Sequence, residues 1–155
     1  MKTITKEKIT KNRIWEACLE KQKSLAATTK EAMDQAQQSA NEEKGSMEEK
    51  FESFREQLIR DRDMFARKLG EHISGMDTLR QIDANRLFSK IQLGSVVITE
   101  KQKFFIAIGL GEIKVNGDVF FAISVQSPLY QQMEGKQAGD SYEFRNITSK
   151  IVSVF

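Results

Sequence analysis

The chain has 155 residues and a single proline, Pro128, so the 127 residues before it carry no helix-breaking imide. Proline in a helix interior removes a hydrogen bond and clashes with the preceding turn, and its absence leaves a long segment free to be helical. Within that segment apolar or small residues recur at alternating steps of four and three. One stripe is Trp15, Leu19, Gln22, Ala26, Thr29, Met33, Ala36 and Ala40. A second is Met47, Phe51, Phe54, Leu58, Arg62, Phe65, Leu69, His72, Met76 and Leu79, with a local stutter where two steps of four meet at Leu58. Such spacing is the seam of a coiled coil. Asn41-Glu42-Glu43-Lys44-Gly45-Ser46 lies between the stripes, where a glycine stop and a serine cap suit a reversal. The pattern predicts two antiparallel helices, about 50 Å long at 1.5 Å per residue.

Charge follows the same division. Residues 1–92 hold 18 Lys+Arg and 16 Asp+Glu, while residues 93–155 hold 6 of each, so the net +2 lies entirely in the first part. Mixed charge at that density suits a solvated helical hairpin, and a net of +2 is too small to argue for nucleic-acid binding by itself. The basic start (Lys2, Lys6, Lys8, Lys11, Arg13) reads first as a frayed, solvated helix start, with an electrostatic contact to nucleic acid as the second reading. Around the predicted reversal, residues 42–56 carry six glutamates against Lys44, Lys50 and Arg55. This acidic tip suits the helix dipole or a partner's metal or basic surface.

From Gly94 the pattern becomes β. Ser95–Thr99 and Phe104–Leu110 are β-branched and aromatic runs. Asn116-Gly117 sits between Ile113/Val115 and Val119/Phe121/Ile123, the composition of a type I′ hairpin. Ser127 is placed to cap a short helix beginning at Pro128 and stopping before Gly135. Ala138-Gly139-Asp140 reads as a turn, with Tyr142–Phe144 and Thr148–Phe155 as closing strands. Four or five strands and one short helix are expected. The fold class is α+β, with a helical hairpin over 1–92 followed by a small β-rich domain over 93–155.

Several functions are disfavoured. No hydrophobic run approaches the ~20 residues of a membrane span, and the first residues lack the apolar stretch of a secretory signal. One cysteine, Cys18, offers no disulfide framework. The plain reading is a cytosolic, cytoplasmic protein. One histidine, His72, cannot furnish a Ser/His/Asp set, and it falls on the helical seam where packing explains it. Cys18 reads as packing, and Trp15 as a contact to the β domain.

The ordered set Ile123-Ser124-Val125-Gln126-Ser127-Pro128-Leu129, Gly135-Lys136 and Gly139-Asp140 resembles the globular domain of the Gre-type bacterial transcript-cleavage factors. The resemblance covers residues 93–155, and the helical pair agrees in order and length. It implies an FKBP-like domain and a transcription elongation factor that enters the secondary channel of bacterial RNA polymerase to modulate pausing, backtracking or transcript cleavage. Gln126, Ser127 and Pro128 would dock on the polymerase. The tip acids Glu48, Glu49 and Glu52 would face the polymerase's magnesium. The family's Gly-Asp-x-x-Glu-Asn-Ala-Glu-Tyr tip corresponds here to Gly45-Ser46-Met47-Glu48-Glu49-Lys50-Phe51-Glu52-Ser53. Glu49 and Glu52 match, whereas Ser46, Lys50 and Ser53 depart. Serine is a poor magnesium ligand beside a carboxylate, so stimulation and inhibition of cleavage both stay open. The resemblance implies no enzymatic activity, cofactor or small-molecule substrate of the chain's own, no membrane, and only an indirect relation to nascent RNA. A coiled-coil scaffold is the alternative. A prolyl isomerase is a weaker one, since fold alone does not carry function.

Overall fold

A computed structural model describes residues 2–42 and 49–155. The chain is α+β. Two long helices, α1 (Lys2–Glu42) and α2 (Glu49–Gln81), precede six strands: β1 (Val96–Thr99), β2 (Lys103–Ala107), β3 (Gly111–Val115), β4 (Asp118–Ser124), β5 (Ser141–Phe144) and β6 (Ile147–Val154). A short helix, α3 (Pro128–Met133), lies between β4 and β5. The chain forms two compact units, one of residues 1–21 with 77–155 and the other of residues 22–76.

In the 22–76 unit the helices pair antiparallel. Gln22, 3% exposed, donates its side-chain amide to the His72 carbonyl at 2.8 Å, and Arg62 donates to the Gln37 side-chain carbonyl. On α1 the buried or half-buried stripe is the expected one, through Gln22, Ala26, Thr29, Met33, Ala36 and Ala40. On α2 it departs from expectation at one point. Phe54 is 52% exposed, and Arg55 is half-buried instead. The stripe then runs Arg55, Leu58, Arg62, Phe65, Leu69, His72 and Met76, in unbroken alternating steps of three and four. The apparent stutter arose from choosing the apolar Phe54 over the polar residue that the helical period places on the seam. Of the predicted reversal over residues 41–46, Asn41 and Glu42 still belong to α1, and residues 43–46 lie outside the described residues, as do Met47 and Glu48.

The other unit is a sheet covered on both faces. Strand order is β3-β4-β2-β1-β6-β5, with β2 and β4 parallel and every other neighbouring pair antiparallel. Six strands form where four or five were expected. The strand predicted over Phe104–Leu110 ends at Ala107, because β4 occupies the place beside β2 and the chain must leave the sheet to form β3 on β4's far side. Leu110 crosses the end of β4, its N–H donating to the Ala122 carbonyl at 3.2 Å.

Strand side chains alternate between faces, and here both alternate sets are apolar. Val96, Phe105, Ala107, Phe120 and Ala122 face a core that includes Ile14 and Cys18 of α1 and Leu79 of α2. Val97, Phe104, Ile106 and Ile151 face a second core with Tyr130 and Met133 of α3. Trp15 packs against the first core and donates its indole N–H to the Leu79 carbonyl at 2.7 Å. Each face of the sheet thus has a helical cover, which is why Phe104-Phe105 and Phe120-Phe121 are continuous apolar pairs instead of alternating with polar residues.

Two tight turns close the hairpins. Asn116 and Gly117 have φ of 51° and 83° and join β3 to β4, as the Asn-Gly pair predicts. Arg145 and Asn146, at 52° and 64°, make the same kind of turn between Phe144 and Ile147 without a glycine.

Candidate functional site

The turn from β4 into α3 is held by local hydrogen bonds. The Gln126 N–H donates to the Ser124 hydroxyl at 3.1 Å, and the Ser127 N–H donates to the Ser124 carbonyl at 3.0 Å. Ser127 is extended (φ −69°, ψ 141°) and accepts the Tyr130 N–H on its hydroxyl at 3.1 Å, with Pro128 in the first turn. This is an N-cap with a preorganised φ behind it, worth about 1 kcal/mol. Tyr130 and Met133 anchor α3 into the sheet, so Gln126 and Pro128 face solvent on a fixed frame. Val125 beside them is 38% exposed.

The far end of α3 is equally constrained. Gly135, at φ 75°, follows the last turn and donates to the Ile91 carbonyl at 3.0 Å, while the Ile91 N–H donates to Lys136 at 2.9 Å. Gln137 and Asp140 close the next turn: the Gln137 N–H donates to the Asp140 carboxylate at 2.9 Å, and the Asp140 N–H donates to the Gln137 carbonyl at 3.0 Å. The Gly135-Lys136 and Gly139-Asp140 elements therefore fix the register of α3 against the sheet. Next to the turn is a depression of about 300 Å³ lined by Leu129, Tyr142, Phe144, Arg145 and Ile147. Ile147 is 55% exposed. The sequence reading missed this feature, because Arg145-Asn146 carries no glycine to announce the turn that shapes it.

Glu48 lies outside the described residues. Glu49 begins α2 in backbone terms, and Glu52 is exposed on its first turns. Among the described residues no group of three or more His, Cys, Asp or Glu side chains could hold a metal ion. No helix among the described residues is long and apolar enough to cross a membrane.

Cys18 and Lys11 are buried titratable groups that α1 contributes to the first unit. Burial pushes the Cys18 thiol up to about 12, so it stays protonated and unreactive. Lys11 is fully buried, donates to the Arg86 carbonyl at 2.7 Å and lies 4.7 Å from the centre of the Phe88 ring. Burial lowers its pKa to about 8 from 10.5, against the opposing pull of Asp83 and Glu7. Lys11 thus departs from the solvated face expected of the basic start. Instead it clamps α1 to the segment after α2.

Below pH 8 the folded chain carries a buried charge that is better solvated when unfolded. Between pH 8 and 10.5 the unfolded state binds the extra proton, so stability rises with pH there. From pH 7 to 9 the gain should be about 1 kcal/mol in urea unfolding, and Lys11→Met should remove it. Above pH 9.0 Cys18 acts the other way, because its folded pKa is raised and stability is lost as the unfolded thiol ionises.

No protein-family model matches the sequence, and no curated protein matches it. Among solved structures the chain is similar to one described as the transcription factor Gfh1, at 17% identity and a TM-score of 0.34, over 88% of this chain and 92% of that one. It is also similar to GreA factor homolog 1 (Gfh1) of Thermus thermophilus, at 15% identity and a TM-score of 0.34, over 88% and 94% of the two chains. A likeness this remote carries no functional weight.

Proposed function

We propose that the protein is a transcription elongation factor that binds bacterial RNA polymerase, docking through Gln126, Ser127 and Pro128 and placing the helical hairpin in the secondary channel. The observation that carries this reading is the ordered motif set. Its Ser127 cap and glycine turns fold as one rigid strand-turn-helix, with Gln126 and Pro128 left on the surface.

In this reading the protein works in the cytoplasm, has no cofactor of its own and is not itself an enzyme. Magnesium belongs to the polymerase, and its chemistry there is activation of water for phosphodiester hydrolysis. Glu49, with Glu48 or Glu52, would lend carboxylate oxygens to that ion. Serine at 46 weakens the set. The protein then either promotes cleavage weakly or occupies the channel and competes with a true cleavage factor.

The test is co-purification with polymerase, followed by addition of the protein to a backtracked elongation complex. Polymerase in the pull-down supports the reading. Shortened RNA indicates stimulation, and slowed shortening in the presence of a cleavage factor indicates competition. Failure to bind purified polymerase rejects the reading and favours the scaffold alternative.

A further inference from the structure

We propose that the outer edge of β5 binds an extended acidic peptide as an added strand, with one aliphatic side chain of that peptide seated in the depression beside α3. This surface is separate from the polymerase reading and is tested without polymerase.

The inference starts from where the β5 backbone points. The two-residue turn at Arg145 and Asn146 makes Phe144 and Ile147 a hydrogen-bonded pair, and alternation along the ladder makes Tyr142 and Ser149 the next one. The N–H and carbonyl groups of Ser141 and Glu143 therefore point away from β6. Lys150, opposite Ser141, has the matching phase. Its carbonyl accepts the Glu100 N–H at 3.1 Å, and its N–H donates to the Glu100 carboxylate at 3.2 Å, on the far side of β6. Ser141 and Glu143 are exposed, and among the described residues no main-chain hydrogen bond from another segment reaches either. The other edge of the sheet is guarded. Lys21 donates to the Leu110 and Glu112 carbonyls at β3, at 2.8 and 3.2 Å, and a charge so placed blocks strand addition.

Three features select the occupant. A strand edge pairs with extended backbone, which excludes a helix or a nucleic acid. Tyr142, Phe144 and Ile147 share one face by register and form, with Leu129, the apolar wall of the depression of about 300 Å³. That wall suits one aliphatic side chain of the added strand. The charged part of the lining is Lys101 and Arg145, with no carboxylate. Lys101 is held by the Thr148 carbonyl at 2.9 Å, and Arg145 lies over the Phe144 ring, 5.1 Å from its centre. Among the described residues neither cation forms an ion pair. Acidic residues two positions from the aliphatic one share its face and meet these cations. Glu143 projects from the opposite face and disfavours acid there.

Titration of the isotope-labelled full chain with acetyl-Thr-Asp-Thr-Leu-Thr-Asp-Thr-amide, followed by amide NMR, tests the proposal. The peptide carries both aspartates and the leucine on one face. It reads the same from either end, so it fits either strand polarity. Saturable downfield shifts and slowed hydrogen exchange are expected at the Ser141 and Glu143 N–H, with the inward-pointing Tyr142 N–H little changed. Arg145→Asn keeps a residue tolerant of positive φ at the turn and should weaken binding about threefold at low salt. Ile147→Asp should abolish binding while the fold survives, because Ile147 is 55% exposed. Lys114→Ala, on the opposite edge, should change nothing. Absence of saturable shifts at the two outward amides overturns the proposal. So does equal binding of a peptide with lysine for both aspartates, or of one with proline for the two threonines beside the leucine. The same shifts arising from the protein alone as its concentration rises would give the edge to a second copy, and overturn it too.

Discussion

Phe105→Ala is expected to cost about 3–5 kcal/mol, the loss typical of emptying a fully buried aromatic site. Phe105 is fully buried on β2, with Val96 and Ala122 as its ladder neighbours. It belongs to the cluster that also holds Ile14, Cys18 and Leu79. Its ring is part of the core that the sheet shares with both long helices, so its removal leaves a cavity in that core. Against a typical total stability of about 5–15 kcal/mol, that loss leaves a marginal protein. With a urea slope of about 2 kcal/mol per M, the unfolding midpoint should fall by roughly 2 M. Phe54→Ala is the matched control. Its ring is 52% exposed, and its loss should stay within about 0.5 kcal/mol. A comparable drop for both would mean that Phe54 lies on the helical seam, as the sequence pattern first suggests, and that Arg55 does not.

That contrast shows where the sequence was legible and where it was not. Local periodicity carries most of the fold. The seam on α1, the Asn116-Gly117 hairpin and the Ser127-Pro128 start of α3 all follow from side-chain chemistry acting within a few residues. Phe54 and Arg55 differ by one position. The sequence reading weighted apolarity there, but the period decides, and the aliphatic part of an arginine packs well enough on a seam. The parallel pairing of β2 with β4 is long-range and leaves no local signature, so the strand predicted through Leu110 was too long. Arg145-Asn146 lacks the glycine that usually marks a positive-φ turn, so the depression beside α3 was invisible. Lys11 was hidden for the opposite reason. Charge alone places a lysine outside, and only the carbonyl of Arg86 and the ring of Phe88 account for one inside. The turn from β4 into α3 was legible as a cap. Its solvent-facing flanks required the anchoring of Tyr130 and Met133 to be known.

Separating docking from chemistry gives the sharpest functional test. Gln126→Ala with Pro128→Ala removes two exposed side chains and keeps the Ser127 hydroxyl, so the cap on Tyr130 survives. The fold should lose no more than about 1 kcal/mol, the preorganisation that Pro128 gives the first turn of α3, while polymerase affinity should fall at least tenfold, a change of about 1.4 kcal/mol. Truncating the few side chains that anchor an interface typically costs this much or more. Ser127→Ala should weaken binding as well, but through about 1 kcal/mol of lost capping that also appears in thermal unfolding. Glu49→Ala belongs to the other class. It should leave polymerase binding unchanged and abolish any RNA shortening the wild type supports, because its carboxylate would act on the polymerase's ion and not on the docking surface. The two variant sets should therefore dissociate, one moving affinity and the other moving cleavage at saturating protein. If the turn variants bind polymerase as tightly as the wild type, Gln126 and Pro128 are surface residues of an N-cap and nothing more. If Glu49→Ala weakens binding as much as the turn variants do, the glutamate contributes to the interface, and its proposed part in magnesium chemistry fails.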